Sequence, residues 1–438
     1  MLGRLRREHA FTMTTMPSRH VSRRIVIATF GSLGDLHPYI ALACALSSRG
    51  HRPVIATIDM YRPNVESAGV EFAAVRPAEA QLPAFDELMP RLFDPLRGPE
   101  YLVRTLVMAH VREAHEDLSR LCVGADVLVT HPLAVTGPLI AEQTGIPWAS
   151  TILAPLSLLS AWDPPIFTPV PWMRHLRKLG VAPYRALFGL VKQLSRSWEA
   201  PLRALRAELH LPPGGKQALY EGQFSPRLNL ALFSPMLAAP QPDWPANTAM
   251  CGFPRYDGAT PDIDTQQRLD AFLAAGEPPI VFALGSSAVK IAGDFWQHAI
   301  AATRALGRRA ILITAQQNRD INPGIAEFAY LPYSAVFPHA AAVVHQAGIG
   351  TLSQALAAGR PQLIVPVSFD QPDNAHRTAK LGVSRTLPFG KVTAGALTQE
   401  LRLLLSEPSH RLRAEEVGKI VREEDGAARA ADLIGGLT

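Results

Sequence analysis

The run Val343-Val344-His345-Gln346-Ala347-Gly348-Ile349-Gly350-Thr351 carries the densest chemistry in the chain. Two valines lead into a turn containing Gly348 and Gly350, and Leu352, Ala355 and Leu356 then recur at helical spacing. A buried strand, a tight turn and a helix are expected in that order. Such a turn aims free backbone amides at one point, the helix start adds about half a positive charge, and glycine lets the backbone come close to a ligand. Thr351 supplies a hydroxyl donor. This is a site for an anion, and a phosphate suits it. Gly359 and Pro361 close the helix, and 362–367 reads as the next buried strand, so Asp370 and Gln371 fall just past its carboxyl end, where open α/β sheets bind ligands. A carboxylate and an amide beside a phosphate site suit sugar hydroxyls, which points to a nucleotide sugar.

Two further turns have similar chemistry. Gly31-Ser32-Leu33-Gly34-Asp35-Leu36-His37-Pro38 follows the apolar run Ile25-Val26-Ile27-Ala28. With Asp59 ending a second strand, it superficially suggests a dinucleotide-binding oxidoreductase. Leu33 breaks the glycine spacing, however, and Asp35 would repel a pyrophosphate at that helix start. Asp35 is either a helix-capping carboxylate or a reactive group, and His37 before Pro38 reads as structural. The other turn, Leu284-Gly285-Ser286-Ser287, precedes a helix with apolar Phe295, Ala299, Ala302 and Leu306, and is either a phosphate contact or a plain strand-to-helix connection.

The elements that must position these residues are those of an α/β protein. Strands are expected at 24–30, 53–58, 126–130, 147–152 and 228–233, a helix at 38–48, and a second run of strands and helices beginning at 278–284. A proline-dense stretch from Pro235 to Pro261 interrupts the pattern. The expected organisation is a basic leader at 1–24, a first domain at 25–250, a linker at 251–277 and a second domain at 278–438.

Composition excludes several classes. A length of 438 residues fits two domains with a core each. The net charge of +5 resides in the leader, where six arginines face one glutamate; the neutral remainder argues against a nucleic-acid partner. No apolar core follows those arginines, so the leader does not read as a signal peptide, and Met13 or Met16 are alternative starts. The longest apolar runs fall short of the roughly 18 residues of a membrane span. Cys44, Cys122 and Cys251 are odd in number and far apart, which suggests neither a disulfide frame nor a metal site. His110 and His115 are five apart and do not share a helix face. In Asp262-Ile263-Asp264, Asp264 with Gln267 reads as a helix cap rather than a metal ligand. A cytoplasmic protein is expected. The segment from Trp172 to Arg196 interleaves Arg174, Arg177, Lys178, Arg185, Lys192 and Arg196 with Leu176, Leu187, Leu190 and Val191. If these shared one side of a helix they would hold the protein peripherally at the inner face of an anionic membrane; otherwise the helix is a solvated surface element.

These motifs resemble those of the family 1 glycosyltransferases. Plant members carry a signature in which a histidine precedes Asp-Gln by twenty-four positions, and here Gln346 precedes Asp370 by that interval. The resemblance therefore gives Gln346, an uncharged donor, the diphosphate contact, with His345 beside it. It implies a GT-B fold, two facing Rossmann-like domains, with the nucleotide sugar on the second and the last helix crossing back to the first. It adds Gly34, Gly285, Ser286 and Ser287 to the donor contacts, together with Gly348, Gly350, Thr351, Asp370 and Gln371. Tyr330, with Tyr333 close by, matches the tryptophan that stacks on the base. Gly-Ser-x-Gly-Asp-x-x-Pro is similar to the sterol glucosyltransferase, glycopeptide and rhamnolipid branches, in which the aspartate stands where other members have a histidine base. Asp35 is then the base and His37 second choice. His131, after the strand 127–130, falls where plant members have the partner of their catalytic histidine. The segment 153–171, with Trp162 and Phe167, would line the acceptor cleft. Asp243-Trp244-Pro245 and 251–257 resemble the rhamnolipid rhamnosyltransferase. The implied reaction is inverting transfer of a hexose, of glucose or rhamnose type, from a UDP- or dTDP-sugar to a hydroxyl of a lipophilic small molecule, with no cofactor and no metal. A nucleotide-sugar epimerase of the same fold and a non-catalytic nucleotide-sugar-binding protein are the alternatives. The sequence carries no signal for an oligomer.

Overall fold

Ile25, Val26, Ile27, Val127, Leu128 and Val129 are apolar at successive positions, the pattern of strands covered on both faces, and all six are fully buried. In the computed structural model, which describes residues 22–167 and 171–437, they belong to the two central strands of a seven-stranded sheet. The leader through residue 21 lies outside the described residues. The strands are β1 (Arg24–Ala28), β2 (Arg52–Thr57), β3 (Glu71–Ala74), β4 (Val127–Thr130), β5 (Trp148–Ile152), β6 (Leu228–Ala231) and β7 (Thr248–Met250). Their order is β3-β2-β1-β4-β5-β6-β7, with every pair parallel. The order reverses between β1 and β4.

Helix α1 (Leu33–Ser47) starts five residues before the expected Pro38, because Ser32 caps it and Pro38 is tolerated in its second turn. Helix α2 (Val111–Cys122) covers the sheet with Leu118. Helix α3 (Ala182–Ser195) buries Tyr184, Phe188 and Ser195. At 100° per residue, Leu187, Leu190, Val191 and Leu194 fall on one flank of that buried line and Arg185, Lys192 and Arg196 on the other. The apolar and basic groups of α3 thus lie on opposite flanks of its buried line, with Leu190 and Leu194 exposed. Lys192 is moreover paired with Glu221. The side chains of Trp172 and Arg174 lie outside the described residues.

The second sheet comprises β8 (Ile280–Ala283), β9 (Ala310–Ile313), β10 (Arg319–Asn322), β11 (Ile325–Phe328), β12 (Ala342–His345), β13 (Gln362–Ile364) and β14 (Ser384–Thr386). Its order is β10-β11-β9-β8-β12-β13-β14, parallel except for the antiparallel pair of β10 and β11. Here the order reverses between β8 and β12. The irregular connection is shorter than expected. Helix α4 (Ile263–Ala274) packs Leu269 into the second core, and Asp262 rather than Asp264 is its cap, accepting the Thr265 amide at 2.7 Å. The linker thus ends at residue 262 and not 277.

Helices α5 (Ile349–Ala358) and α6 (Gln371–Lys380) follow β12 and β13. Helix α7 (Pro408–Glu423) lies against α5, and α8 (Gly426–Gly435) crosses into the first domain, where Ala430, Ala431 and Ile434 are buried with Leu42 and Leu46 of α1. The crossing is tight. A Cβ on Gly426 would sit 2.3 Å from the carbonyl oxygen of Gly252, a backbone atom with little room to move. Gly426→Ala should therefore cost about 1–3 kcal/mol of stability, the range for overpacking a fitted contact. Gly390→Ala, where nothing lies within 4 Å of the added carbon, should stay within about 0.5 kcal/mol. Denaturant midpoints of the two variants against the parent chain check this pair.

Candidate active site

Each glycine-rich turn lies at the reversal point of its own sheet. In open α/β sheets this is where a crevice forms beyond the carboxyl ends of the strands. In the first domain, Gly31 leaves β1 with φ +137, and a Cβ there would lie 2.3 Å from Asp35 Oδ2, so glycine is required on both counts. Ser32 and Asp35 form a capping box: the Ser32 amide and hydroxyl both donate to Asp35 Oδ2, at 2.7 and 3.0 Å, while Ser32 Oγ accepts the Gly34 amide at 3.2 Å. Asp35 Oδ1 faces Nε2 of His131, which follows β4, at 3.5 Å. His131 Nδ1 accepts the Leu133 amide at 3.0 Å, so in the neutral ring the proton sits on Nε2, toward the carboxylate. Burial opposes ionisation of Asp35, but His131 and the two Ser32 donors outweigh it and hold the carboxyl below its ordinary value.

His37 does not join this pair. Two residues along a helix from Asp35, it points elsewhere, with its ring edge-on to Tyr256 in the connection at 5.3 Å. Burial lowers its pKa to about 4, against the opposing charge of Asp257. The second-choice base is thus part of the packing between α1 and the connection.

In the second domain the turns after β8 and β12 converge. A Cβ on Gly285 would lie 2.2 Å from Gln346 Nε2, and one on Gly348 would lie 2.9 Å from the same atom. Gln346 Nε2 also approaches Thr351 Oγ1 at 3.5 Å, and its Oε1 is buried without a partner among the described residues. Burial pushes the Tyr333 hydroxyl up to about 12, with hydrogen bonds to Thr351 and Gly285 acting the other way. Its ring is stacked on Phe337 at 4.4 Å, which places Tyr333 in the turn cluster rather than as an open platform for a base. Tyr330 is the more exposed of the two, and its hydroxyl donates to the Asp257 carbonyl. Ser286 is exposed and Ser287 half-buried in the single helical turn after Gly285.

His345 has no place in this cluster. It is fully buried, with Nδ1 accepting the Ala347 amide at 3.1 Å and Nε2 against Gln362 Oε1 at 3.0 Å. Burial lowers its pKa to about 4. Its role is to hold the turn, because Ala347 adopts φ +66, a left-handed conformation that alanine avoids without support. Asn374 supplies the rest of that support by donating to the Ala347 carbonyl at 2.9 Å.

Asn374 also donates to Asp370 Oδ2 at 2.7 Å. Burial pushes the Asp370 carboxyl up to about 7, a rise that the Asn374 bond opposes and the charge of Asp35 across the cleft reinforces. Gln371 spends its carbonyl on the amides of Val367 and Ser368, at 2.8 and 3.3 Å, so its N–H groups are what it can offer a sugar hydroxyl. The two domains meet turn to turn: a Cβ on Gly350 would lie 3.9 Å from the Gly34 carbonyl oxygen.

Of the two aromatic residues expected at the acceptor, Trp162 is half exposed, whereas Phe167 packs edge-on against Phe188 at 6.5 Å in a small cluster with Met173 and Tyr184. Phe167 is therefore a packing residue. A small cavity of about 40 Å³, room for little more than a water, lies beyond the ends of β1 and β2, walled by Phe30, Ile58, Val107, Leu118, Leu133 and Val135; neither Asp35 nor His131 lines it. Thr29 in its wall donates to the Asp35 carbonyl at 3.4 Å. Alternating apolar positions in 102–111 were the only trace of this pocket in the sequence, and they read equally as core. Among the described residues, no helix is long and apolar enough to cross a membrane.

Residues 25–160 match the glycosyltransferase family 28 N-terminal domain, and residues 308–429 match the erythromycin biosynthesis protein CIII-like C-terminal domain. O-mycaminosyltylonolide 6-deoxyallosyltransferase of Streptomyces fradiae is 32% identical over 421 residues, covering 94% of this chain and 96% of that protein. The chain belongs to the family 1-type glycosyltransferases. Glycosyltransferase GtfE of Amycolatopsis orientalis is 30% identical over 433 residues, 94% of this chain and 97% of its own. Spinosyn rhamnosyltransferase SpnG complexed with thymidine diphosphate has the same fold, with a TM-score of 0.66 at 18% identity over 94% of this chain and 99% of that one. The fold of this glycosyltransferase is GT-B. The chain is related to glycosyltransferases of the macrolide and antibiotic type.

The raised Asp370 pKa has a consequence for stability. The folded glycosyltransferase keeps a proton on Asp370 up to about pH 7, while the unfolded chain loses it near the ordinary carboxylate value, so this group's contribution falls as pH rises between the two and is flat above. Asp370→Asn, which cannot ionise, should match the parent chain in melting temperature near pH 4 and exceed it by an amount that grows to about pH 7. Thermal melts at unit pH intervals measure the difference.

Proposed function

We propose that this glycosyltransferase moves a hexose from a uridine or thymidine diphosphate sugar, with inversion, to a hydroxyl of a lipophilic small molecule. One observation carries the reading: Asp35, held ionised beside His131, and the turn carrying Gln346 and Thr351 lie where the glycine turns of the two domains meet, with Asp370 tied to that turn through Asn374. The acceptor oxygen attacks the anomeric carbon, the bond from that carbon to the diphosphate breaks, and the acceptor proton passes to Asp35. His131, with Nε2–H toward Asp35, orients the carboxylate and is not itself free to accept that proton. The turn amides and Thr351 stabilise the leaving diphosphate, so the reading needs no metal. Asp370 and Gln371 hold the sugar hydroxyls.

Several relatives favour thymidine diphosphate and deoxy sugars: one is a 6-deoxyallosyltransferase, and SsfS6, SpnG and VinC have structures with thymidine diphosphate. The motif resemblance to the sterol and rhamnolipid branch supports a lipophilic acceptor.

A positioned base contributes roughly 10²- to 10⁴-fold in rate. Asp35→Asn should therefore lower transfer by at least about a hundredfold, with donor affinity and folding nearly intact. His131→Ala should cost less, and His37→Ala least. Mass spectrometry of acceptor mixtures with each donor reads the product, and retention of most activity by Asp35→Asn would remove the base assignment. Gly348→Val would push its side chain into Gln346, within 2.9 Å of the Cβ position, and should weaken nucleoside diphosphate binding by at least about tenfold, roughly the 1.4 kcal/mol of one lost donor. Calorimetric titration with thymidine and uridine diphosphates checks it.

A further inference from the structure

Helix α6 presents Asp370 and Gln371 at its start and a buried guanidinium near its other end. Arg377 is 4% exposed, and its four bonds span both domains. Within the second domain, Nε donates to Asp373 Oδ2 at 2.7 Å. Toward the first domain, Nη1 donates to the Asp163 carboxylate and to the Leu237 carbonyl at 3.2 Å, and Nη2 donates to the Asp163 carbonyl at 3.3 Å. Asp373, fully buried, uses its second oxygen to accept the Ile166 amide at 3.0 Å. The far end of the same loop is held by the first domain itself, where Asp243 accepts the Ser160 hydroxyl at 2.6 Å and the Ala161 amide at 2.7 Å. Residues 160–166 are therefore slung between two carboxylates, Asp243 and Asp373, one in each domain, with the half-exposed Trp162 between the anchors.

The charges make this joint reversible. If the domains part, Arg377 keeps Asp373 as a neutralising partner on its own helix and the partly exposed Asp163 is hydrated, so neither side is left with a buried, unpaired ion. Buried ion pairs add little net stability, and their attested use is to set register between elements. Here the elements are the donor helix and a loop of the acceptor domain.

We infer that Arg377 is a positioning residue that locks the 160–166 loop onto the donor helix, so that engagement of the nucleotide sugar at Asp370 and Gln371 places Trp162 as part of the acceptor wall. The inference rests on the transfer reading above for the meaning of donor and acceptor.

Arg377→Ala would strand the buried Asp373 charge and could simply unfold, so the decisive variant is Asp163→Asn, which leaves the Arg377–Asp373 pair intact and removes only the charge that reaches across. Steady-state kinetics on the full chain should show the acceptor KM raised at least about tenfold, with kcat and donor KM within about twofold, roughly what one charge-assisted hydrogen bond is worth. A purely structural role would lower kcat or shift both KM values together, and either result overturns the inference. Hydrogen exchange gives a readout independent of transfer. In the parent chain, dTDP-glucose, which carries the sugar that Asp370 and Gln371 would hold, should slow exchange at the Ala161 and Ile166 amides, and in Asp163→Asn that slowing should be lost at Ile166 and kept at the turn following β12. If dTDP-glucose protects Ile166 equally in both proteins, the lock is absent even if transfer is confirmed. If the turn itself is unprotected in the parent chain, the donor-site reading has failed, and the inference falls with it.

Discussion

Everything in the cleft depends on one close approach, the packing of the Gly34 backbone against Gly350. A β-carbon at residue 350 would stand at van der Waals distance from the Gly34 carbonyl, and any larger side chain would wedge the two turns apart. The approach is held from outside the cleft. Helix α8 is buried in the first core, Arg49 pairs with Asp432 at 2.6 Å, and Arg255 donates to the Val421 and Glu424 carbonyls at 2.7 and 3.1 Å. The linker and the returning tail thus run side by side.

Two carboxylates face each other across that cleft, which ordinary electrostatics disfavours unless their environments differ. They do differ. Asp35 is given two Ser32 donors and the His131 ring, so its charge is satisfied before any substrate arrives. Asp370 is buried, with the Asn374 amide only partly offsetting that cost and the Asp35 charge adding to it, so it yields the proton last. Capping and reactivity are not competing roles for Asp35: the capping box that fixes α1 is what aims its other oxygen into the cleft and keeps it ionised.

Behind these groups stands a layer of residues that never reach the cleft. His345 and Asn374 hold Ala347 in its left-handed turn, and without that turn the amides after β12 would not converge on Gln346 and Thr351. Asp257 in the connection accepts from the Ser334 amide at 3.2 Å and from Gln354 Nε2 at 3.1 Å, and so fastens the linker over the donor domain. Such residues have ordinary types at ordinary spacings, and nothing local distinguishes them from core or surface.

The sequence by itself determined the local units. Runs of valine and isoleucine bounded by glycine and proline specify buried strands, and Gly348 and Gly350 specify a strand-to-helix turn with free amides, because backbone geometry and helix starts are short-range properties. Strands β3, β7, β9, β10, β11 and β14 escaped: each has three or four residues, too few for periodicity to mark, and none leads into a turn with two glycines as β12 does or into a longer apolar run as β13 does. Tertiary structure alone decided which units meet. His131 reaches Asp35 because β4 lies beside β1, and Gln346 reaches Gly285 because β12 lies beside β8; strand order is set by crossover connections that no local pattern encodes. It also decided that His345 turns inward, that His37 meets the connection instead of the cleft, that Phe167 is packing, and that the basic and apolar flanks of α3 part company around a buried line. Each of those depends on which face of an element finds a partner, and burial is a property of the whole chain rather than of any window within it.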